Sequence, residues 1–460
     1  MAAIKILCTL ILIGALLYSM LKKMYTITSI MGIGVVTLLI VSILTGTSVM
    51  GDKTCGNNIL DVFEFVGTSF TSAFANPGLL IVVLVGFSAY MKEIHASEIL
   101  VTLACTPLKK IKSPYVICGI AYVIGAIIKL PITSPSGFSA LMLITMFPIL
   151  VSCGVNPITA AATIALSQGA DWGPGDMGTG ICLPVTAPDT LMADYFMTYN
   201  LPAAVAFILV LAVVAPIVYR FWDKKEGLLN QKVEADQVEV KDLKDIDAPT
   251  FYAILPLLPI IFVLLFSKFG VKTIVMTTQG ATLLSFFIAL FIEIIRRPSK
   301  FVEAVKKSAS YFVSMGGAFT NLVCLVAAAN CFAKAISVIG GLSILTDLVA
   351  ATGFPAPILV GMIGVLACLI VVVSSSYNTG AYTFGPSIAS IAASYGISAA
   401  ACTLPMQIAL GFGRILSPIN ASHLLIAGTA KVDILKLIKR NVIPFVVAYI
   451  VTLVVFAIKL

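Results

Sequence analysis

Two short polar segments interrupt apolar stretches of this sequence and carry side chains suited to binding chemistry. They read TSPSG (133–137) and SSSYNTG (374–380). Hydroxyls, an amide and backbone N–H groups exposed beside glycine form a neutral donor array that suits carboxylate oxygens. The pattern favours a site for a small dianion with one end at each segment. The alternative is that these side chains only satisfy chain turns.

A third polar segment, GADWGPGDMG (169–178), is rich in glycine and aspartate. Such a run cannot continue a helix through lipid, because the freed backbone groups would lack partners. The break therefore belongs beside a cavity, where helix ends can hold an anion or a cation. Asp176, with Asp171 second, is predicted to bind a coupling proton or sodium ion. The alternative for Asp176 is a cap for the restarted helix or a partner for a basic residue.

Two basic residues, Lys129 and Arg414, fall inside apolar segments. A charge at membrane depth costs at least about 2.5–3.5 kcal/mol unless it faces a cavity or a partner. Lys129 lies shortly before TSPSG, and Arg414 lies just before the break at Ser417 and Pro418. We predict that they attract a carboxylate of the substrate. The alternatives are a salt bridge with Asp171 or Asp176, or snorkelling toward an interface.

The elements that position these residues are predicted to be membrane helices. Of 460 residues, 59% are apolar and 11% are charged, whereas about a quarter are charged in an ordinary soluble domain. Apolar runs of about 20 residues, enough to cross roughly 30 Å of hydrocarbon, recur along the chain. The composition excludes a water-soluble fold and predicts an all-α polytopic membrane protein.

Ten spans and two helical hairpins are predicted. The hairpins, 113–153 and 355–395, are apolar but broken in the middle by the two polar segments, which is typical of a re-entrant hairpin with its tip inside the membrane. Broken helices are predicted at 155–186 and 397–428. The other spans are 4–21, 26–46, 76–92, 201–220, 250–268, 272–294, 311–333 and 441–459.

An internal repeat divides the chain into two halves, 1–220 and 250–460, joined by a polar linker at 221–249. GVNPITAAATIALSQG (154–169) aligns with GISAAACTLPMQIALGFG (396–413) at an offset of 242 residues. The order of spans, arm, hairpin, broken helix and last span also repeats. Since each half has five crossings, the second must be inverted relative to the first, as in many secondary transporters.

The placement of basic residues predicts the orientation. Five segments, 22–25, 92–112, 220–249, 296–307 and 431–440, hold 21 of the 29 Lys and Arg residues. By the positive-inside rule these segments face the cytoplasm, so both termini are predicted to be periplasmic in a bacterial inner membrane. Because the charge of +8 lies in short loops, it does not indicate binding of nucleic acid.

Several other functional classes lack their sequence signatures here. The ten cysteines show no CxxC or Cys/His ligand spacing, so we predict neither a metal site nor a disulfide framework. No HExxH or GxSxG motif occurs, and the two histidines, His95 and His423, are far apart. We therefore predict a carrier rather than an enzyme, with no cofactor beyond a possible coupling proton or sodium ion.

The chain resembles the anaerobic C4-dicarboxylate carrier family, DcuC, of the ion-transporter superfamily. The resemblance runs nearly end to end and is clearest in five segments. These are GFSAYMKEIHAS (86–97), SPSGFSALMLITMFPILVSCGVN (134–156), APTFYAILPLLPII (248–261), SIAASYGISAAACTLPMQ (390–407) and GRILSP (413–418).

The resemblance implies a secondary carrier of succinate, fumarate or malate, working by exchange or with a coupled cation. It also implies a homodimer and an elevator motion, in which hairpins and broken helices move against a scaffold made from the other spans. By the same resemblance the substrate and ion sites lie at the hairpin tips and helix breaks. The residues implied are Ser134, Ser136, Gly137, Ser376, Asn378, Thr379, Gly380, Asp176, Ser417, Pro418 and Asn420.

Two alternatives remain open at this point. The first tip reads Ser-Pro-Ser-Gly where family members have Ser-Ala-Thr-Gly, and Lys129 stands where an uncharged residue is usual. The first alternative is that these two departures make the substrate an organic anion other than a C4-dicarboxylate. The second alternative is a sodium or proton antiporter of the same superfamily, in which Asp171 and Asp176 are the working residues and Arg414 is structural.

Overall fold

The computed structural model describes residues 7–460 except 9–10, 13, 17, 20–21, 23, 112, 230–242, 268–269, 272 and 341–352. Over the described residues the regular secondary structure is helical, and no strand occurs among them. Half of the predicted first span, 4–21, much of the linker and part of the arm before the second hairpin lie outside the described residues.

From Thr26 onward, the described residues of the first half form ten α-helices in the predicted order. They are α1 (Thr26–Thr45), α2 (Leu60–Ala73), α3 (Leu79–Glu93), α4 (Ala96–Cys105), α5 (Pro114–Ile128), α6 (Pro135–Ser152), α7 (Pro157–Ser167), α8 (Met177–Thr186), α9 (Met192–Tyr195) and α10 (Leu201–Lys225). A π-helical turn, Phe196–Asn200, joins α9 to α10.

The second half repeats this order after a 3-10 helix, Thr250–Leu257. Its helices are α11 (Leu258–Leu265), α12 (Thr278–Arg296), α13 (Phe301–Lys307), α14 (Ala309–Ala318), α15 (Cys324–Ile339), α16 (Ala356–Ser374), α17 (Tyr377–Tyr395), α18 (Ala399–Leu416), α19 (Ala421–Thr429) and α20 (Ile434–Lys459).

The third crossing of each half is longer than predicted. The predicted span 76–92 is the second part of a continuous helical segment that begins at Leu60, because a π-helical turn, Phe74–Gly78, carries the chain past the Asn-Pro-Gly sequence. A second π-helical turn, Phe319–Val323, joins α14 to α15. Pro77 in the first π turn is a residue type that usually ends or kinks a helix, and the helical segment nevertheless continues through it.

Fewer helices are long enough to cross a membrane alone than the ten predicted spans. In the part of the chain that the structure describes, eight helices are long and apolar enough, and α3 with α4, bent by 74°, adds a ninth. Two of the eight, Pro135–Ser152 and Ala356–Val373, belong to the hairpins, so six of the ten predicted spans, or seven with the bent pair, contain such a helix. The other three are 4–21, which is only partly described, 155–186, which is two short helices, and 250–268, which holds the shorter apolar helix Thr250–Leu265. Each hairpin is helix, break and helix with one helix long enough to span, so the re-entrant depth of both stays a prediction.

Helix boundaries recur at the offset that the sequence repeat predicts. Ser134 and Ser376 cap α6 and α17, and Asn156 and Ser398 cap α7 and α18. Both pairs are 242 residues apart, the offset of the aligned segments. The glycines before α7 and α18, Gly154 and Gly396, both adopt positive φ. The helix caps thus repeat, while the inverted orientation of the halves stays a prediction.

Equivalent elements of the two halves also meet in the interior. A Cβ atom on Gly411 would overlap the carbonyl oxygen of Gly169, the residue with which it aligns. The rings of Phe74 and Phe319, which begin the two π turns, lie 5.7 Å apart. In addition, α8 packs on α17 of the other half, and α19 packs on α6. Each restarted half-helix therefore leans on the opposite hairpin.

Segments predicted to share the cytoplasmic face do contact one another. The guanidinium of Arg440 pairs with Asp223 at 2.8 Å, and that of Arg297 pairs with Asp247 at 2.6 Å. In addition, α4 packs on the 3-10 helix that follows the linker. Four of the five basic segments therefore lie together, as the charge pattern predicts, although which side of the membrane they face stays a prediction.

Candidate functional site

The first hairpin tip is a helix N-terminus with an accessible hydroxyl. The chain leaves α5 at Lys129 and restarts at Pro135, where the Oγ of Ser134 accepts a hydrogen bond from the N–H of Gly137 at 3.2 Å. Ser136 is exposed, while Ser134 and Gly137 are half-buried. The alternative role of Ser134 as a turn-satisfying cap is therefore observed, and Ser136 remains available to a ligand.

The second hairpin tip is more enclosed. The Oγ of Ser376 accepts from the N–H of Thr379 at 3.3 Å and from the Thr379 hydroxyl at 2.8 Å. Asn378, Thr379 and Gly380 are all buried. A Cβ atom on Gly380 would overlap Leu410, so this glycine allows α17 to pack closely on α18.

The break in the first half places two aspartates in the interior. Asp176 caps α8, its Oδ1 accepting from the N–H of Gly178 at 2.7 Å. A Cβ atom on Gly178 would overlap the carboxylate of Asp171, so only glycine fits there. Asp171 and Asp176 are each 1% exposed. The predicted helix-cap alternative for Asp176 is thus observed in the structure.

The two aspartates and the two intramembrane basic residues form one ionic cluster. The Nζ of Lys129 lies 2.7 Å from Asp176 Oδ2 and 3.4 Å from Asp171 Oδ1. The guanidinium of Arg414 donates to Asp171 Oδ2. Lys129 is 1% exposed and Arg414 is 8% exposed. The salt-bridge alternative is therefore the observed geometry, and with all four groups ionised the cluster is neutral.

This ionic cluster connects both halves of the chain. Gln407 on α18 donates to the backbone oxygen of Asp171 and, at 2.8 Å, to the hydroxyl of Thr179. The Arg414 guanidinium lies 5.1 Å from the ring centroid of Tyr377 in the second tip. The first hairpin, the first break, α18 and the second tip therefore meet around Asp171.

The break in the second half carries neutral polar groups instead. The side-chain oxygen of Asn420 caps α19 by accepting from the N–H of Ser422 at 3.1 Å, and its amide donates to the Ser375 hydroxyl at 3.1 Å. The Oγ of Ser417 and the Oδ1 of Asn378 are buried without a hydrogen-bond partner among the described residues. Pro418 is exposed. The second tip and the second break thus adjoin and leave polar atoms free for a ligand.

A cavity of about 300 Å³ lies beside the first tip and is lined by Ser134, Ser136 and Gly137. Four polar side chains that the sequence analysis did not single out share this wall. They are Ser88, Lys92, Ser97 and Ser314. Lys92 lies in the segment 86–97 that resembles the family, but the sequence analysis used it only as a cytoplasmic loop charge. Its place in the last turn of the apolar helix α3 could have indicated a lysine beside a cavity.

The predicted site residues therefore fall into three groups rather than one pocket. Lys129, Asp171, Asp176 and Arg414 form the ionic cluster; Ser134, Ser136 and Gly137 line the first-tip cavity. The remaining residues of the second half surround the adjoining tip and break: Ser376, Asn378, Thr379, Gly380, Ser417, Pro418 and Asn420. No hydrogen bond or ion pair between the two tips occurs among the described residues. Within the same ranges, no group of three or more His, Cys, Asp and Glu residues could hold a metal ion.

Long apolar helices, interrupted by polar breaks that meet in a buried interior, are those of a multi-pass membrane protein, and the family and relatives that it matches make it a transporter rather than an enzyme. The chain belongs to the C4-dicarboxylate anaerobic carrier family, DcuC, whose profile matches residues 4–460. It is 31% identical over 439 residues to the anaerobic C4-dicarboxylate transporter DcuC of Escherichia coli K12, covering 94% of this chain and 92% of that protein. It is 27% identical over 451 residues to a probable DcuC of Vibrio cholerae, covering 96% and 95%.

Two solved transporters share the fold at low sequence identity. The YdaH transporter of Alcanivorax borkumensis matches with a TM-score of 0.61 and 15% identity, over 92% of this chain and 96% of that one. MtrF of Neisseria gonorrhoeae matches with a TM-score of 0.56 and 16% identity, over 94% of each chain. These matches support the fold alone.

Proposed function

We propose that this protein is a secondary carrier of C4-dicarboxylates such as succinate, fumarate and malate, and that it works by exchange. The proposal agrees with the names of its relatives, the C4-dicarboxylate transporter of Escherichia coli and the probable C4-dicarboxylate transporter of Vibrio cholerae. The observation that carries it is the neutral polar region where the second tip adjoins the second break.

Two helix N-termini border this region, one capped by Ser376 and the other by Asn420. Helix N-termini favour negative charge because their N–H groups and dipoles point at the ligand. Asn378 and Ser417 add buried polar atoms that lack partners among the described residues. A buried polar atom without a partner costs about 1–3 kcal/mol, and the Ser417 hydroxyl would offset that cost by donating to a bound carboxylate. The N–H groups of the Asn378 amide are donors that suit the same carboxylate.

The first tip supplies the second half of the proposed recognition. Ser134 and Ser136 face a cavity whose wall includes the cationic side chain of Lys92. Lys92 lies in a basic segment assigned to the cytoplasmic side, so we propose that this cavity is open to the cytoplasm. A dianion entering there meets hydroxyls and a lysine before it reaches the buried second tip.

We further propose an elevator motion, with one change to the predicted division of the chain. The last helices of the halves, α10 and α20, were assigned to the scaffold by resemblance. They pack on α5, α7 and α18, and Tyr219 of α10 bonds to Asn441 of α20 at 2.7 Å. A single apolar cluster joins these helices to the hairpin and the broken helices. We therefore place α10 and α20 in the moving group.

The antiporter alternative requires carboxylates that can bind a free cation. Within the described residues, Asp171 and Asp176 are both ion-paired, to Arg414 and Lys129. A cation binding to Asp176 would have to displace the ammonium group of Lys129, which would then be left buried without its partner, and this is unfavourable. The geometry therefore favours the anion carrier over the antiporter. The inverted orientation of the halves, periplasmic termini, an inner-membrane location and a homodimer remain part of this proposal.

Counterflow in proteoliposomes tests the proposed function directly. Vesicles loaded with unlabelled succinate and containing the purified protein should accumulate labelled succinate, and external fumarate or malate should compete. Monocarboxylates and C6 tricarboxylates should compete weakly, because they cannot fill two carboxylate sites with the same spacing. Accumulation of a different anion class, without succinate counterflow, would assign the protein to another organic anion.

A further inference from the structure

The charges of the ionic cluster carry a consequence for coupling that rests on the proposed carrier function. We propose that Lys129 is a tethered cation: its ammonium group fills the position where a coupling sodium ion or proton would bind. The carrier then exchanges dicarboxylates without any coupling cation.

The geometry around the Lys129 ammonium is that of a cation site. Its Nζ lies 2.7 Å and 3.4 Å from oxygens of two carboxylates, and both carboxylates are almost fully buried. Lys129 is the C-cap of α5, so its charge also lies at the negative end of a helix. Transporters of this general design bind coupling cations at half-helix C-termini in broken segments.

Charge balance leaves little room for a second cation. Arg414, in the last turn of α18, pairs with Asp171, so the two aspartates are matched by two permanent cations. Among the described residues, the other titratable groups near the cluster include Tyr377, under the Arg414 guanidinium, and Cys182, whose sulfur contacts the Tyr377 hydroxyl at 3.3 Å. The buried imidazole of His423 also lies near Arg414. Tyr377 and Cys182 are neutral under ordinary conditions, and a neutral His423 adds no charge to the cluster. A sodium ion added to this neutral cluster would be an uncompensated buried charge, which is strongly unfavourable.

The ionic cluster lies between the segments that move in the proposed elevator motion. Lys129 leads into the first tip, and Asp176 begins α8, which packs on the second hairpin. A free cation bound here would have to arrive and leave in each cycle. An ammonium tied to the chain is present in every state, so both the loaded and the empty carrier keep a neutral cluster.

Removing the tethered charge should create a cation requirement. The test compares wild type, Lys129→Gln, the charge-balanced Lys129→Gln/Asp176→Asn and, as a matched control, Lys459→Gln, which removes an exposed lysine at the end of α20. Labelled succinate counterflow is measured in sodium and in choline buffers, and in mildly acidic and neutral buffers.

The proposal predicts that wild type and Lys459→Gln exchange succinate equally in sodium and choline and at both pH values. Lys129→Gln should lose at least about tenfold in choline, equivalent to about 1.4 kcal/mol, and regain activity when sodium or a lower pH neutralises the spare carboxylate. The double variant should be independent of both cations again.

Several results would overturn the proposal while leaving the carrier function intact. One is a wild-type protein that exchanges succinate only with sodium or only in a pH-dependent manner. Another is a folded Lys129→Gln protein without any cation dependence. If Lys129→Gln does not accumulate, the double variant decides, since cation-dependent or absent exchange in it contradicts the proposal. Absence of succinate counterflow in wild type would instead contradict the proposed function.

Discussion

The two helix breaks have the same backbone design and opposite side-chain chemistry. Asp176 and Asn420 both cap the restarted half-helix of a broken span. In the first break the cap is a carboxylate whose negative charge is matched by Lys129. In the second the cap is an amide that bonds to a hydroxyl of the neighbouring tip. The first break is ion-paired, whereas the second adjoins buried polar atoms that have no hydrogen-bond partner among the described residues.

Under the proposed function, this difference assigns cation binding to one break and anion binding to the other. Backbone breaks expose helix ends in both halves, and helix ends attract ions of either sign according to their polarity. The side chains then decide which ion is bound and whether it is exchangeable. Variants that change the polar side chains at or beside the two breaks therefore test this difference.

The largest effect is expected from Arg414→Gln. Without Arg414, the carboxylate of Asp171 keeps only the longer contact to Lys129, at 3.4 Å, in a buried site. Breaking a buried pair typically costs about 3–5 kcal/mol because a charge is left uncompensated. We expect a large fall in membrane abundance and in the unfolding temperature of the purified protein.

A charge-balanced variant separates the loss of charge pairing from the loss of an arginine. Arg414→Gln/Asp171→Asn removes both partners, so the free energy of unfolding should recover toward the wild-type value. If the single variant is as stable as wild type, the cluster does not hold the two halves together as described.

Asn378→Ala should have the next largest effect, and on affinity rather than on stability. Asn378 is buried at the second tip with an unpaired side-chain oxygen among the described residues. We expect the apparent KM for succinate to rise about tenfold, or about 1.4 kcal/mol, at unchanged abundance. Ser394→Ala is the control on the same helix, because Ser394 is exposed and bonds to its own helix backbone. An unchanged KM would remove Asn378 from the site.

Asn420→Ala should combine a smaller loss of stability with a loss of affinity. The substitution removes the cap of α19 and the bond to Ser375. Loss of a helix N-cap costs about 1 kcal/mol. Asn420→Ser, which keeps a capping oxygen, should recover the unfolding temperature but not the KM. Recovery of both by serine would make Asn420 a structural cap only.

Lys92→Gln and Ser136→Ala should have the smallest effects, because both side chains lie in the open first-tip cavity. An exposed charge contributes about 0.2–1 kcal/mol, so we expect the apparent KM to rise by severalfold at most. Lys92→Gln should also weaken the dependence of uptake on ionic strength. Lys110→Gln, an exposed lysine of the same basic segment, is the control, and equal responses of the two lysines would exclude a specific role for Lys92.

The positions of the breaks could be predicted from sequence because their composition is a local signal. Glycine, proline and small polar residues cannot continue a lipid-facing helix. The predicted tips TSPSG and SSSYNTG both fall at helix restarts, at Ser134 and Ser376. The constant repeat offset likewise follows from the chain alone. The continuous segment from Leu60 to Glu93 was missed, since π turns have no strong sequence signature.

The pairing within the ionic cluster could not be predicted. Lys129 and Asp176 are 47 residues apart, and Asp171 and Arg414 are 243 residues apart. The sequence indicates that each buried charge needs a partner or a cavity. Whether that partner is the substrate or another side chain depends on how the two halves pack, which the sequence alone does not give. The position of Lys92 beside the first-tip cavity was missed for the same reason, because segments distant in sequence line that cavity.

The most direct test of the central claim is ligand stabilisation of the purified wild-type protein. A ligand that binds the native state raises the unfolding temperature, and the stabilisation grows with the logarithm of the ratio of its concentration to its Kd. We predict that succinate raises the unfolding temperature of this protein by the same amount in sodium-free choline buffer and in sodium buffer. Stabilisation that requires sodium would contradict the tethered cation, and no stabilisation by any C4-dicarboxylate would contradict the proposed substrate.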